Sequence, residues 1–171
     1  MRIMERALNL SKVNRVFLEE VKSSHTGRTV PYCYQCGTCS SSCPVAEEMD
    51  IKPHEMVEMI KLGLTDALIR CKAIWQCTTC YMCTERCPQE VQLTLIILGL
   101  RNIAMREGAV IPEAVKESCK NLYETGRLVT PSRFQRQQRE KLKLPEVLQV
   151  DTEPIKGMMK KTAVAGILEV K

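Results

Sequence analysis

The residues from Cys33 to Pro44 read Cys-x2-Cys-x2-Cys-x3-Cys-Pro, and those from Cys77 to Pro88 repeat the same spacing, so that eight of the ten cysteines fall into two identical runs. Three cysteines at intervals of three form a tight loop whose thiolates point inward at three irons of a [4Fe–4S] cube. The fourth iron then needs a ligand from elsewhere, and in two-cluster ferredoxins the last cysteine of each run serves the other cluster. The pattern therefore predicts one cluster on Cys33, Cys36, Cys39 and Cys87, and a second on Cys77, Cys80, Cys83 and Cys43. Pro44 and Pro88 lack an N–H and fix φ, which turns the chain away after the last ligand. Small residues beside the cysteines (Gly37, Thr38, Ser40, Ser41, Thr78, Thr79 and Thr84) allow backbone N–H groups to approach sulfur, and such bonds help set a cluster's potential.

Other uses of these cysteines fit less well. Structural zinc favours pairs of Cys-x2-Cys knuckles around one tetrahedral ion, whereas here a third and a fourth cysteine follow in each run. A disulfide framework belongs to oxidising compartments. The first 24 residues interleave Arg2, Glu5, Arg6, Lys12, Arg15, Glu19, Glu20 and Lys22 with apolar positions, which is unlike a secretory signal. The longest uncharged apolar stretch, Val91 to Leu100, is about half of the roughly 20 residues that a membrane helix needs. A cytoplasmic protein without a membrane span is expected. The formal charge of +5 counts every thiol as neutral, and two thiolate-bound clusters would bring it to about +1, so the basicity gives little support to nucleic-acid binding. Cys71 and Cys119 lie outside the runs and read as packing residues.

Aromatic residues make up only 4% of the chain against 44% hydrophobic residues overall, so the core is modest and the clusters are expected to help hold the fold together. Helical signals bracket both loops, and no strong strand signal appears. Ser11 is placed to cap a helix carrying Val13, Val16, Phe17 and Val21. Pro53 to Leu62 reads as a helix with Met56, Val57, Met59 and Ile60 inward, and a second short helix is predicted from Asp66 to Ala73. Leu93, Ile96, Ile97, Leu100 and Ala104 form a stripe that stops at Gly108. Pro112 to Thr125 predicts a helix with Val115, Cys119, Leu122 and Tyr123 inward, and another runs from Thr130 and Pro131 to about Leu142. That last segment is rich in arginine and lysine: a solvated face or a docking surface for an acidic partner. His25 and His54 read as surface or capping residues, Trp75 as an apolar wall beside a cluster, and Tyr32, Tyr34 and Tyr81 as shields of sulfur from water. The glycine loops that cradle phosphates or dinucleotides are not found. The expected fold class is mainly α, an α-helical ferredoxin module with two [4Fe–4S] clusters held between helices, plus helical N- and C-terminal extensions. Its expected parts are an N-terminal extension over 1–28, the two-cluster domain over 29–108, C-terminal helices packing on it over 109–144, and a partner-bound or mobile tail over 145–171.

The stretch from Val30 to Val91 resembles the C subunit of soluble heterodisulfide reductase. The resemblance rests on Cys-Tyr-Gln-Cys-Gly-Thr-Cys at 33–39, Cys-Pro-Val at 43–45, and Lys-Ala-Ile-Trp-Gln-Cys-Thr-Thr-Cys-Tyr-Met-Cys-Thr-Glu-Arg-Cys-Pro at 72–88. It implies an electron relay in methanogenesis, between a flavoprotein A subunit and a catalytic B subunit that reduces the coenzyme M–coenzyme B heterodisulfide. A hydrogenase or a formate dehydrogenase is implied as a candidate further component of the complex. The B subunit of that family carries motifs with adjacent cysteines, and no Cys-Cys pair occurs here, so the resemblance implies an oxidoreductase subunit without a catalytic site of its own. An iron–sulfur relay for another flavin-dependent dehydrogenase, of the fumarate or glycerol-3-phosphate type, is the alternative. Succinate dehydrogenase subunits carry an N-terminal [2Fe–2S] domain with its own cysteines, and none of the 32 residues before Cys33 is a cysteine, which counts against that reading.

Overall fold

A computed structural model describes residues 13–23 and 27–168. Ser11 and His25 lie outside the described residues. The chain forms two compact units, one up to Val110 and one from Ile111 on. The elements are all helical among the described residues. In the first unit they are α1 (Arg15–Ser23), α2 (Thr38–Ser41), α3 (Pro53–Lys61), α4 (Thr65–Arg70), α5 (Ala73–Gln76), α6 (Met82–Glu85) and α7 (Leu93–Arg106). Short 3₁₀ helices cover Gly27–Tyr32 and Ala46–Glu48. The second unit holds α8 (Glu113–Thr125), α9 (Arg133–Lys141), α10 (Glu153–Met159) and α11 (Val164–Ile167). No described helix is long and apolar enough to cross a membrane.

In the first unit, α3 and α7 supply the apolar faces against which the shorter pieces pack. Met56, Val57, Met59 and Ile60 of α3 are buried, as are Leu93, Ile96, Ile97, Leu100 and Ala104 of α7, all at the positions that the periodicity assigns. Fully removing side chains of this size from water stabilises by about 1.5–3 kcal/mol each. Leu68, Ile74, Ile51 and Val30 join the same cluster, and Cys33, Cys39, Cys43, Cys77 and Cys87 rest against it. Both cysteine loops are thus mounted on one apolar mass. Pro53 starts α3, where its missing N–H is no loss, and the Glu55 carboxylate accepts a bond from the Lys52 backbone N–H at 2.7 Å.

Helix α1 packs on α3 and on the 3₁₀ helix through Phe17 and Val21. Its free N–H groups find Asn14, whose side-chain oxygen accepts from Val16 and Phe17 at 3.0 and 3.3 Å. Val16 was expected in the apolar stripe but points to solvent with 74% of its surface exposed, because the buried face of this nine-residue helix turns on Phe17 and Val21. The predicted Asp66–Ala73 helix is divided: α4 ends at Arg70 and α5 begins at Ala73. The break is capped by Asp50, whose two carboxylate oxygens accept from the Lys72 and Ala73 backbone N–H groups, each at 2.9 Å.

In the second unit α8 has no buried residue, and Val115, Cys119, Leu122 and Tyr123 are half-buried, not enclosed. Helix α9 begins at Arg133, two residues after Pro131, because Ser132 is its cap. The Ser132 hydroxyl accepts from Gln135 N–H, and the Gln135 side chain accepts from Ser132 N–H. Beyond Pro145, where no periodic pattern was legible, α10 and α11 form, α10 with Pro154 in its first turn and Met159 buried.

Gly63 joins α1 to α3. Its carbonyl accepts from Asn14 N–H at 2.9 Å, its φ is +68°, and a Cβ there would meet the Asn14 carbonyl oxygen at 2.6 Å. Gly63→Ala therefore combines a strained φ with a steric clash. It is expected to cost about 1–3 kcal/mol, read as a lower guanidinium midpoint of the iron-loaded protein with its iron content checked beforehand.

Candidate iron–sulfur sites

The two cysteine loops bend alike because corresponding residues take the same unusual backbone conformation. Gln35 and Thr79, one residue before the second cysteine of each run, have φ of 63° and 53°. Gly37 and Tyr81, one residue after it, have φ of 79° and 62° and start α2 and α6. Left-handed φ is costly for Gln, Thr and Tyr, on the order of 1 kcal/mol or more each, and such strain collects at functional loops. The conformation reverses the chain at each step and turns successive cysteines toward one side. The last turns of α2 and α6 then carry the chain to Cys43 and Cys87.

Two cavities result. One is lined by Cys33, Cys36, Cys39 and Cys87, and by Cys83 as well. The other is lined by Cys43, Cys77, Cys80 and Cys83. Each brings together three thiols of one run and the fourth of the other, and Cys83, itself buried, borders both. Cys36 and Cys80 are the exposed members of the two groups. Among the described residues no three Cys, His, Asp or Glu side chains meet closely enough to hold a single metal ion. The thiols of each group stand around a hollow and do not meet at a point.

The surroundings of the thiols differ. Burial pushes the Cys39 thiol up to about 11 and raises that of Cys77. As isolated groups these are neutral thiols at neutral pH, while iron would hold them as thiolates. Cys36 lies at the surface, and its pKa is lowered first by the Thr38 hydroxyl, 3.4 Å from its sulfur, with a smaller contribution from Tyr34. A donor set of eight thiols in two groups of four, buried on one side and reachable on the other, fits two thiolate-bound cubes.

Several side chains that the sequence did not mark support these loops. His54 at the start of α3 lines the first cavity, and its Nδ1 lies 2.6 Å from Ser40 Oγ. Ser40 Oγ also accepts from His54 N–H at 3.1 Å, which joins α2 to α3. Gln35 Nε2 donates to Cys33 Sγ at 3.4 Å and to the His54 carbonyl at 3.2 Å. Thr94 on α7 is fully buried, and its hydroxyl lies 3.3 Å from Cys83 Sγ while accepting from Thr84 at 3.1 Å. Thr84 donates to Thr94, and in the contact between Thr94 and Cys83 either the hydroxyl or the thiol can donate.

Three expectations need correction. Trp75 lines neither cavity. It lies instead beneath the Arg101 guanidinium, 5.8 Å from ring centre to cation. Tyr32 and Tyr34 are largely exposed and only Tyr81 borders a cavity, although Tyr34 keeps its bond to the Cys36 sulfur. His54 is a half-buried strut between two elements and not a surface residue. Cys71 is buried beside Asp50 and α5, with its thiol raised to about 11 by burial, and Cys119 sits half-buried on α8. Neither is among the residues that line the two cavities.

Residues 29–91 match the family model described as a 4Fe-4S dicluster domain. Over 129 residues the chain is 34% identical to the C subunit of the ferredoxin/F(420)H(2)-dependent CoB-CoM heterodisulfide reductase of Methanosarcina acetivorans, covering 74% of this chain and 79% of that one. It is 40% identical over 108 residues to the second C-type iron-sulfur subunit of the CoB–CoM heterodisulfide reductase of Methanocaldococcus jannaschii, covering 59% of this chain. It is 34% identical over 108 residues to the C subunit of the H(2):CoB-CoM heterodisulfide,ferredoxin reductase of Methanothermobacter thermautotrophicus, covering 63%. The match spans 58% of the length of each of these last two relatives.

The Thr84–Thr94–Cys83 chain is testable on its own. Thr94→Val keeps the shape and leaves both the Thr84 hydroxyl and the buried sulfur short of a partner, a loss of about 1–3 kcal/mol. Thr84→Val and Thr94→Val together should cost less than the sum of the single changes, measured as denaturation midpoints of the iron-loaded protein.

Proposed function

The chain belongs to the family of heterodisulfide reductase C subunits, and from that premise we propose that it is the electron-relay subunit of such a reductase, with two [4Fe–4S] clusters. Cys33, Cys36, Cys39 and Cys87 would hold the first cluster, and Cys77, Cys80, Cys83 and Cys43 the second. When bound, such clusters accept and release single electrons with little change of shape. The observation that carries the reading is the shared wall of the two cavities at Cys83, together with the exposure of Cys36 and Cys80 on their other sides. That arrangement gives one inner contact between clusters and one outer approach to each.

The protein's own part in the relay is to position and to exclude. The left-handed residues at 35, 37, 79 and 81 aim the thiols. The apolar faces of α3 and α7 keep water from the inner side. Gln35, Thr38 and Thr94 place hydroxyl and amide groups on three of the sulfurs. We assign the cluster-bearing part to 29–108 and the tail over 145–171 to partner contacts. The partners on this reading are a flavoprotein A subunit and a B subunit at which the coenzyme M–coenzyme B disulfide is reduced. This chain then has no catalytic site of its own and works in the cytoplasm.

Anaerobically isolated protein is expected to contain about eight irons and about eight acid-labile sulfides per chain, from two cubane sites. Two zinc ions without sulfide would overturn the reading. Cys43→Ala is expected to damage the cluster of the Cys77, Cys80 and Cys83 loop and to spare the other, seen as loss of one of two reduced paramagnetic signals. Loss of the signal belonging to the Cys33 loop would reverse the assignment. Co-purification with a partner bearing adjacent-cysteine motifs supports the reductase complex, and a dehydrogenase flavoprotein alone speaks against it.

A further inference from the structure

Arg101 stands on α7 with its side chain turned toward α5 and the second cysteine loop. Its Nε donates to the Ile74 carbonyl and its Nη2 to the Cys77 carbonyl, both at 2.6 Å. The Trp75 ring covers one face of the guanidinium at 5.8 Å. Two short bonds from one planar fork, with an aromatic ring against it, fix the cation more firmly than a flexible ammonium would be fixed. Among the described residues no carboxylate pairs with it.

The first loop has a cation in a comparable place but not a comparable charge. Lys61 Nζ donates to the Cys33 carbonyl at 3.3 Å, and it also pairs with the Glu58 carboxylate at 3.1 Å. The Lys61–Glu58 pair presents little net charge to its cavity. Arg101 presents a whole positive charge to the other.

We propose that Arg101 sets the reduction potential of the cluster held by Cys77, Cys80, Cys83 and Cys43, its guanidinium at the Cys77 carbonyl favouring the state that carries the extra electron. The inference rests on the two-cluster reading above. One-electron reduction adds one negative charge to a thiolate-bound cluster that is already anionic. A fixed cation on the backbone of a ligand residue lowers the free energy of the more negative state more than that of the less negative one. Partial burial against Trp75 limits the screening by water and salt that would weaken such an effect at an open surface. The first cluster lies beyond the Cys83 wall and beside the neutralised Lys61–Glu58 pair, so the effect of Arg101 falls on one cluster and not on both. Arg101 is a positioning and field residue on this account, and it does not touch the reacting atoms.

The test is a redox titration of the holoprotein followed by paramagnetic resonance, with Cys80→Ser used to assign which signal belongs to the second cluster. Arg101→Met keeps an apolar stem against Trp75 and removes the charge, Arg101→Gln removes the charge and keeps a donor, and Arg101→Lys keeps the charge. The expected result is a lower midpoint for the second cluster in R101M and R101Q, a midpoint near the unsubstituted value in R101K, and an unmoved first cluster in all three. A purely structural role would shift R101K as far as the neutral variants, and that outcome overturns the proposal. So does an unchanged second midpoint in the neutral variants, a shift confined to the first cluster, or loss of iron from both neutral variants. Absence of two reducible signals in the unsubstituted protein overturns the two-cluster reading itself, and is seen before any Arg101 variant is made.

Discussion

The interleaving of the two cysteine runs is the constraint on which the rest of the first unit depends. Each cavity takes three thiols from one loop and the fourth from the other, so neither loop can complete its group without the second. The first cysteines of the runs, Cys33 and Cys77, stand 44 positions apart, and the helices between them have to return the chain to the right place. Helix α3 does this by packing on α2 and α4, and α7, which follows the second run, closes over α4, α5 and α6. On the proposed ligation each cluster is a cross-link between distant segments, and cross-links closing long loops stabilise chiefly by restricting the unfolded chain. That accounts for a fold whose helices are mostly too short to persist alone, since isolated helices under about 12–15 residues are marginal in water.

Burial and accessibility of the thiols are in opposition, and the structure divides them between residues. Cys83 lies inside, where Thr94 gives its sulfur a hydrogen-bond partner and where both cavities meet. Cys36 and Cys80 lie outside, where a partner protein can approach. A site wholly enclosed would hold its clusters in a dry environment but exchange electrons slowly, and a site wholly open would lose iron to water. The left-handed backbone at Gln35, Thr79 and Tyr81 is the cost of this arrangement. It lets four-residue helices stand directly after the turns, each with one cysteine set against the core, while the cysteine before each helix stays at the surface.

The sequence revealed the parts of this structure that depend on local spacing. Cysteine intervals are set by the loop itself, so the grouping into runs was visible without any fold. The stripes of α3 and α7 were visible because each repeats with helical period over enough residues to be unambiguous. What stayed hidden depends on residues far apart in the chain. Arg101 meets Cys77 across 24 positions, and Ser40 meets His54 across 14. Nothing in the neighbourhood of Arg101 distinguishes it from a surface arginine in the last half of an amphipathic helix. A signal existed only for Thr94, a threonine placed beside the apolar stripe of α7, which a buried hydroxyl with a partner would explain. Trp75 misled because proximity to Cys77 in sequence is not proximity to its sulfur: α5 points the ring back toward α7. The helices of the tail stayed hidden because α10 and α11 are too short to show a period.

The two loops are alike in spacing and in backbone conformation, yet their surroundings are not equivalent. The first has Gln35 donating to the Cys33 sulfur, and Thr38 and Tyr34 bonded to the Cys36 sulfur at the surface. The second has Thr94 inside and a fixed guanidinium at the backbone. Hydrogen bonds at a surface site compete with water, so their effect on the thiolates is moderated, whereas a hydroxyl and a cation on the buried side act in a medium that screens them less. Two sites made by one repeated motif can therefore differ in electron affinity without any change of ligand. The duplication fixes the geometry of both sites, and the residues that pack around each copy are what make them distinct.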